Sequence, residues 1–392
     1  MPVTEKIPTI LQVVPELDTG GAEQTALDVG NAIAAKGWTS IVVSEGGRMV
    51  GELEQKGTRH ITLFVASKNP ARIIANAFRL AALIRKHDVS VIHARSRAPA
   101  WSALIAARMT RTPFVTTYHG AYKQASKLKG WYNSVMVRSD VTIANSHWTK
   151  AFIEERYQGL KMNIAVIHRG TDFSAFEDAA IGNEALSVLR RGWGVGEGKK
   201  IILCLARLTK IKGQNILIDA MPDIVRAVPD AVLVLAGDDQ GRRQYRQQLE
   251  QQINTLGLEG KVFLPGHCSD PATACTLADL VIMASIVPET FGRVAVEAQA
   301  AGTPAIVTDI GAGGETVLTP PEVNDDQRTG WRVPHGDAAA MAETVIEVFS
   351  MDAAKLDTLT KRARSRVLAS FSVENMCEKT IAVYRGLLSD RG

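Results

Sequence analysis

Glu289 and Glu297 stand eight residues apart in the run P-E-T-F-G-R-V-A-V-E-A-Q-A-A-G-T-P-A-I-V-T-D-I-G-A-G-G-E of residues 288–315. Two carboxylates at that spacing can accept hydrogen bonds from hydroxyl groups at two ends of one ligand. The residues around Glu297 are small and apolar (Val294, Ala295, Val296, Ala298, Ala300, Ala301), so its charge lies on an element built like a core helix and needs a partner. One candidate is Arg293, four residues earlier on the same face, in a helical ion pair worth only about 0.3–0.5 kcal/mol. The other is a diol, because a fixed carboxylate can accept two hydrogen bonds from the hydroxyls of a ribose. Glu289 favours the diol, since it stands just ahead of the helix start, where free backbone N–H groups and the dipole attract an anion. At about 1.5 Å per helical residue, residues 291–297 cover roughly 9 Å, about the reach of a diphosphate with a sugar at each end. A nucleotide sugar would then touch Glu297 by its ribose, the N–H groups near Thr290, Phe291 and Gly292 by its phosphates, and Glu289 by its other sugar.

The elements that must position these groups follow from the flanking residues. Val281, Ile282 and Met283 form an apolar run, so residues 285–292 leave the carboxyl end of a strand, where ligands of open α/β sheets sit. A helix is expected over residues 291–301, ended by Gly302 as a left-handed C-terminal residue and by Pro304, with the next strand at 305–307. The same strand-then-helix order recurs along the chain, which implies parallel sheets with helices on both faces. Strands are expected at residues 10–14, 40–44, 89–93, 114–117, 141–144, 201–206, 232–236 and 262–266, with helices at 24–35, 71–85, 214–228, 338–364 and 372–388.

Three further motifs lie at strand ends. Asp18-Thr19-Gly20-Gly21-Ala22-Glu23 closes the first strand, as a plain tight turn or as backbone that approaches a ligand. His119 ends T-T-Y-H-G, where a lone histidine is either a satisfied structural residue or a functional one. Arg207-Leu208-Thr209-Lys210-Ile211-Lys212-Gly213 places a cation at a strand end and another five residues on, a pair able to clamp a diphosphate from two sides or to remain two surface charges. The G-W-G-V-G-E-G run at residues 192–198 precedes a strand, whereas a dinucleotide-binding G-x-G-x-x-G must follow one.

The spacing E-x7-E, with F-G two residues after the first glutamate and A-G-T-P after the second, resembles the retaining glycosyltransferases of family 4, which have the GT-B fold. Further pieces extend the likeness over nearly the whole chain: G-G-A-E at 20–23, V-T-I-A-N-S at 141–146, V-I-H-R-G-T-D at 166–172, A-R-L-T-K-I-K-G at 206–213 and G-W-R-V-P-H-G-D at 330–337. Arg169 departs from it, standing where the family usually has Asn. The resemblance implies two Rossmann-like, doubly wound parallel-sheet α/β domains facing a central cleft. Residues 1–178 would form the acceptor domain, 179–198 a linker and 199–371 the nucleotide-sugar donor domain, with the last helix (372–392) crossing back to complete the first. It implies that Gly20, Gly21, Arg207, Lys212, Gly266, His267, Glu289, Thr290, Phe291, Gly292 and Glu297 bind the donor, and that His119, Glu289, Arg207 and Lys212 serve catalysis, His119 beside the transferred sugar. It also implies retention of the anomeric centre. Since no carboxylate marks itself as a covalent nucleophile, a front-face route is expected, in which the departing phosphate takes the acceptor proton.

Composition is that of a soluble globular protein: 392 residues with 46% hydrophobic content suffice for two ordinary cores. The N-terminal residues lack the apolar core of a signal peptide and enter a strand almost at once, so the chain is expected to be unexported and cytoplasmic. Cys204, Cys268, Cys275 and Cys377 have no zinc spacing and are expected as free thiols. There is no D-x-D and no evident ligand cluster, so neither a metal nor a cofactor is expected; Arg207, Lys212 and the helix N-terminus would neutralise the leaving diphosphate. Residues 95–169 hold 12 Lys and Arg against 3 Asp and Glu, with Trp131 and Tyr132 among them. That is a solvated face or a surface for an anionic membrane, with no motif for nucleic acid. Residues 93–145 look like bacterial lipopolysaccharide core and envelope-polysaccharide transferases, which implies a glycan or glycolipid acceptor at the inner membrane face. A nucleotide-sugar epimerase of the same fold, or a non-catalytic partner protein, stays open. The basic first half argues against the epimerase, and the intact set of Arg207, Lys212, Glu289 and Glu297 argues against the non-catalytic partner.

Overall fold

A computed structural model describes residues 7–18, 20–122, 126–177 and 181–389. The chain divides into two compact units, Met1–Gly170 with Val373–Gly392, and Thr171–Ser372.

The first unit is built on a seven-stranded parallel sheet. Its strands are β1 (Thr9–Val13), β2 (Thr39–Ser44), β3 (Arg59–Thr62), β4 (Val91–Ala94), β5 (Phe114–Tyr118), β6 (Val141–Ala144) and β7 (Ile164–Val166), in the order β3-β2-β1-β4-β5-β6-β7. Residues of β1, β4, β5 and β6 are buried throughout, as a sheet covered on both faces requires. Order reverses between β1 and β4, so the loops after these strands diverge and leave an opening at their carboxyl ends.

The helix Val373–Ser389 belongs to this unit, although the whole of Thr171–Ser372 separates it from the rest of the unit's sequence. Met376, Cys377, Ile381 and Tyr384 pack with Ile10, Val29, Ile33 and Val91. Tyr384 is fully buried, and its hydroxyl lies 2.6 Å from His93 Nδ1, while His93 Nε2 lies 2.7 Å from Thr117 Oγ1. Burial, then Arg95 and His119, keep the His93 imidazolium well below the ordinary histidine range, so a neutral ring joins β4, β5 and the last helix. Arg95 Nε donates to Gln12 Oε1 at 2.7 Å, and Gln12 Nε2 donates to Ala26 O at 2.9 Å, satisfying polar groups under the helix Gly21–Ala35.

The second unit carries a six-stranded parallel sheet, β8 (Lys200–Leu205), β9 (Ala231–Ala236), β10 (Val262–Gly266), β11 (Leu280–Met283), β12 (Ala305–Thr308) and β13 (Trp331–Val333), in the order β10-β9-β8-β11-β12-β13. Here the reversal falls between β8 and β11. Two local expectations are revised. Residues 181–198, the described part of the stretch read as a linker (179–198), group with this unit: the helix Asn183–Gly192 turns Leu186 and Leu189, with Trp193 and Val195 after it, onto a core that includes Ala274 and Cys275, which the strand-poor sequence did not signal. The boundary residue Asp178 and residues 179–180 lie outside the described residues, as does Thr19 of the first loop. The long helix at 338–364 is two, Ala338–Ser350 and Ala353–Ser370, because Asp352 leaves the helical conformation and caps the second by accepting from Ala354 N and Lys355 N.

Candidate functional site

In the second unit, the expected cation and carboxylate pieces meet at the sheet reversal. Arg207 to Lys212 leave β8, and Ser285 to Gly292 leave β11, the strand beside it. The two exits are tied by a backbone hydrogen bond from Ile286 N to Ile211 O, 2.9 Å. Only glycine fits behind Lys212: Gly213 has φ +70°, and a Cβ there would stand 2.0 Å from Ala284 O. This close approach lets Lys212 Nζ pair with Glu289 Oε1 across 77 residues of sequence. Ser285, fully buried, donates from Oγ to the same oxygen at 2.6 Å, and Thr308 Oγ1 donates to Ser285 O at 2.7 Å.

The Glu289 backbone is clamped from the far side. Its carbonyl accepts from Ala312 N at 2.8 Å, and Gly311, at φ +70°, leaves the space a Cβ would take 2.4 Å from Glu289 O. Glu289 thus has a set backbone, two polar partners and a side chain about a quarter exposed, at 23%. It is a preorganised acceptor on solvent-reachable ground.

The following helix is Arg293–Ala300, starting two residues later than the pattern suggested because Gly292 adopts φ +85°. Thr290 and Phe291 therefore precede it. Phe291 is 2% exposed and meets Phe371 edge to face with centroids 5.3 Å apart, so its ring belongs to the core and only its main chain is left for a ligand. Glu297 is 8% exposed, and its bland partner is present: Arg293 Nε lies 3.2 Å from Oε1. Burial raises the Glu297 pKa, opposed by Arg293. Since Arg293 is half exposed, the pair leaves a desolvated carboxylate capable of accepting further hydrogen bonds.

Arg207 is exposed and engages Gln240, Nη1 to Oε1 3.3 Å, rather than Lys212 or Glu289. Its main chain is held by Gln214 Nε2, which donates to Arg207 O at 2.9 Å from a fully buried position. Gly266 ends β10 and accepts from Gly237 N at 2.7 Å; His267, next to it, is exposed. These two are separated from Glu289 by two strands of the sheet, β9 and β8. Ser285 and Gln214 were not singled out from sequence, although Ser285 stands only four residues before Glu289 at the same strand exit.

The first unit brings together three pieces distant in sequence. Gly20 and Gly21 open the helix Gly21–Ala35 directly after β1, so Gly21 is a helical residue rather than part of a loop. Arg169 lies over it: a Cβ on Gly21 would fall 2.5 Å from Arg169 Nη1. The other guanidinium nitrogen, Nη2, is 3.3 Å from His119 Nδ1. His119 follows β5 and is partly buried. Burial, then Arg169 and Arg95, hold its imidazolium well below the ordinary range.

Residues 19–175 match the model of Glycosyltransferase Family 4, and residues 188–366 that of Glycosyl transferases group 1. A crystal structure of a glycosyltransferase from Rickettsia africae is 33% identical, covering 98% of this chain and 99% of that one with a TM-score of 0.87. The Anabaena protein Alr3699/HepE, solved with UDP, shares the fold at 24% identity over 96% of this chain and 100% of its own, TM-score 0.81. Lipopolysaccharide core biosynthesis mannosyltransferase LpsB of Rhizobium meliloti is 25% identical over 299 residues, 76% of this chain and 80% of LpsB. The first curated relatives are covered over 62%, 97% and 60% of their own lengths.

Proposed function

We propose, for a chain that belongs to the group 1 glycosyltransferases of family 4 and has their GT-B fold, that it moves a sugar from a nucleotide-sugar donor held by the second unit to a glycan or glycolipid acceptor. The observation that carries this reading is the convergence of Lys212, Ser285 and Glu289 at the β8–β11 reversal, the place where open α/β sheets bind ligands. In this reading Lys212 and Arg207 take the diphosphate, with the main chain of Thr290, Phe291 and Gly292. Glu297 takes the ribose, Glu289 the transferred sugar, and Gly266 and His267 border the base.

Lys212 and Glu289 neutralise one another in the free protein. When a donor arrives, the lysine turns to phosphate and the carboxylate is released to accept sugar hydroxyls. No protein carboxylate attacks the anomeric carbon in this scheme; the reaction retains configuration, the acceptor proton passes to the departing phosphate, and no metal takes part. Uridine nucleotides head the donor candidates because HepE, of the same fold, is bound to UDP-glucose. A thermal-shift panel of UDP, GDP, ADP and their common sugars tests the donor reading. A ligand that binds the native state alone raises the midpoint as RT ln(1 + [L]/Kd), about 2.7 kcal/mol at a hundredfold excess over Kd. One nucleotide series should stand out, and a flat panel at millimolar ligand would end the donor reading.

The partner of the first unit is proposed to be an anionic membrane, with the protein on its inner face. Among the described residues, no helix is long and apolar enough to cross a membrane. The helices Pro70–Lys86, Arg97–Thr110 and Lys127–Asn133 carry no acidic residue, and they expose Ile74, Phe78, Leu128 and Trp131 beside Arg72, Arg79, Lys127 and Lys129. Trp131 stacks on Trp101 at 4.5 Å, which holds an aromatic ring at the surface. Mixed aromatic and basic surface suits anionic headgroups at roughly 1 kcal/mol per basic residue near the membrane. Lys123, expected to share this role, lies outside the described residues. Lys127→Glu with Lys129→Glu should reduce co-sedimentation with phosphatidylglycerol vesicles about tenfold or more, and 0.5 M salt should weaken the wild type likewise. Unchanged binding by the double variant would make this a solvated face.

A further inference from the structure

Arg169 stands where the family usually has Asn, and the fold gives it a specific place. Its guanidinium spans the start of the helix Gly21–Ala35 and the ring of His119, with Nη2 3.3 Å from Nδ1. A guanidinium carries only donors at any accessible pH. The ring nitrogen facing it must therefore be the acceptor, so the hydrogen of the neutral ring is on Nε2. We propose that Arg169 is a positioning residue for His119: it fixes the imidazole as the neutral Nε2–H tautomer, the form that presents a hydrogen-bond donor to a substrate hydroxyl. That a substrate hydroxyl meets Nε2, which is buried in the free protein, rests on the expected place of His119 beside the transferred sugar; the tautomer rests on the geometry alone.

The surroundings favour the same state. Among the described residues, the titratable and charged groups facing His119 include Arg169 from the segment after β7, Arg95 after β4, His93 on β4, and Tyr122 from its own loop, which hydrogen-bonds to the His119 main chain. Protonation would set an imidazolium against two guanidinium groups in a partly buried site, and the ring stays neutral. An Asn at position 169 carries both a carbonyl oxygen and an NH2 group, so it is compatible with either tautomer and adds no charge. Arg169 thus replaces a permissive neighbour by a restrictive one.

The test uses the full-length protein labelled with 15N-histidine, with the His119 resonances identified from their loss in His119→Asn. Long-range proton–nitrogen correlation should report the Nε2–H tautomer from pH 8 to pH 5.5 with no titration. In Arg169→Asn and Arg169→Gln the midpoint should rise toward the ordinary value of about 6.5, and the Nδ1–H tautomer should gain population. The acid limb of kcat/KM should move upward with it, tenfold per pH unit below the new midpoint. Arg169→Lys keeps the charge and a donor, and should restore most of the tautomer preference. Melting curves of all variants confirm that the fold is kept. A wild-type His119 protonated on Nδ1, or a spectrum and midpoint unchanged in both Arg169→Asn and Arg169→Gln, would overturn the proposal. If the tautomer is locked as described but His119→Asn transfers sugar at the wild-type rate, the positioning of the ring stands and its placement at a substrate hydroxyl fails.

Discussion

Lys212→Ala is expected to lower kcat by roughly a hundred- to a thousandfold, the range found when one preorganised donor to developing negative charge is removed. The reasoning starts from the strand exit: Gly213 allows a tight turn, the turn brings the ammonium to Glu289, and no other described cation pairs with that carboxylate. In the proposed transfer, Lys212 is also the group that must balance the leaving diphosphate. Removing it weakens binding of the free nucleoside diphosphate and the transition state together, with the larger effect on the latter. Arg207→Ala should do the same more gently, because the Arg207 side chain is exposed and only weakly fixed by Gln240. If the two cations replace a metal, turnover is expected to be unchanged in EDTA; loss in chelator with rescue by magnesium would reject that scheme while leaving the transfer reaction intact. Lys212→Ala with undiminished kcat would reject the donor site itself.

Glu289→Ala and Glu297→Ala are expected to separate by ligand. In the proposed donor site Glu289 faces the transferred sugar; in the free protein it is held by Lys212 and Ser285. Its removal should cut kcat by about a hundredfold, or about 2.7 kcal/mol at 1.36 kcal/mol per decade. Nucleoside diphosphate affinity should stay level or improve, because the ion pair that competes for Lys212 is gone. Glu297→Ala should weaken nucleoside diphosphate and intact donor alike, by about 1.5–3 kcal/mol for a lost charged hydrogen-bond acceptor.

Stability provides a second reading of Glu297. Burial raises its pKa, so the native state binds that proton more tightly than the unfolded chain does, and the ionised form near neutral pH is held at a cost to folding. Glu297→Gln should therefore leave the ligand-free protein as stable at pH 7.5 or more so, while losing nucleotide affinity, the signature of a group kept for binding. Calorimetric affinities beside melting temperatures decide it. Equal loss of diphosphate affinity in both alanine variants would mean that the donor does not lie along the β11 exit and its helix as proposed.

Much of the architecture was legible because strand and helix signals are local. Short apolar runs such as residues 201–206 and 232–236, each between helical stretches, read as covered strands of a parallel sheet, and Gly302 with Pro304 ends a helix by backbone chemistry alone; Gly302 adopts the left-handed φ of +77°. Glu289, Glu297, Arg207 and Lys212 stood out for the same reason, as charges beside strand ends or inside an apolar helix. The helix Asn183–Gly192 was read as linker because the segment holds little strand signal and ends in a glycine-rich run, and only the core that Leu186 and Leu189 pack against makes it part of the second unit.

Pairings between distant segments followed a different rule. That Lys212 meets Glu289 depends on β8 lying beside β11, and that Arg169 reaches both Gly21 and His119 depends on where β1, β5 and β7 end in one sheet. Residue types and spacing by themselves determined which groups could do chemistry and on which elements they stand, because propensity, capping and burial act over a few residues. Which of those groups touch, which cation faces the His119 ring and which carboxylate is already paired were decided only by the tertiary structure, because strand order, close approach at glycines and burial are properties of the packed chain.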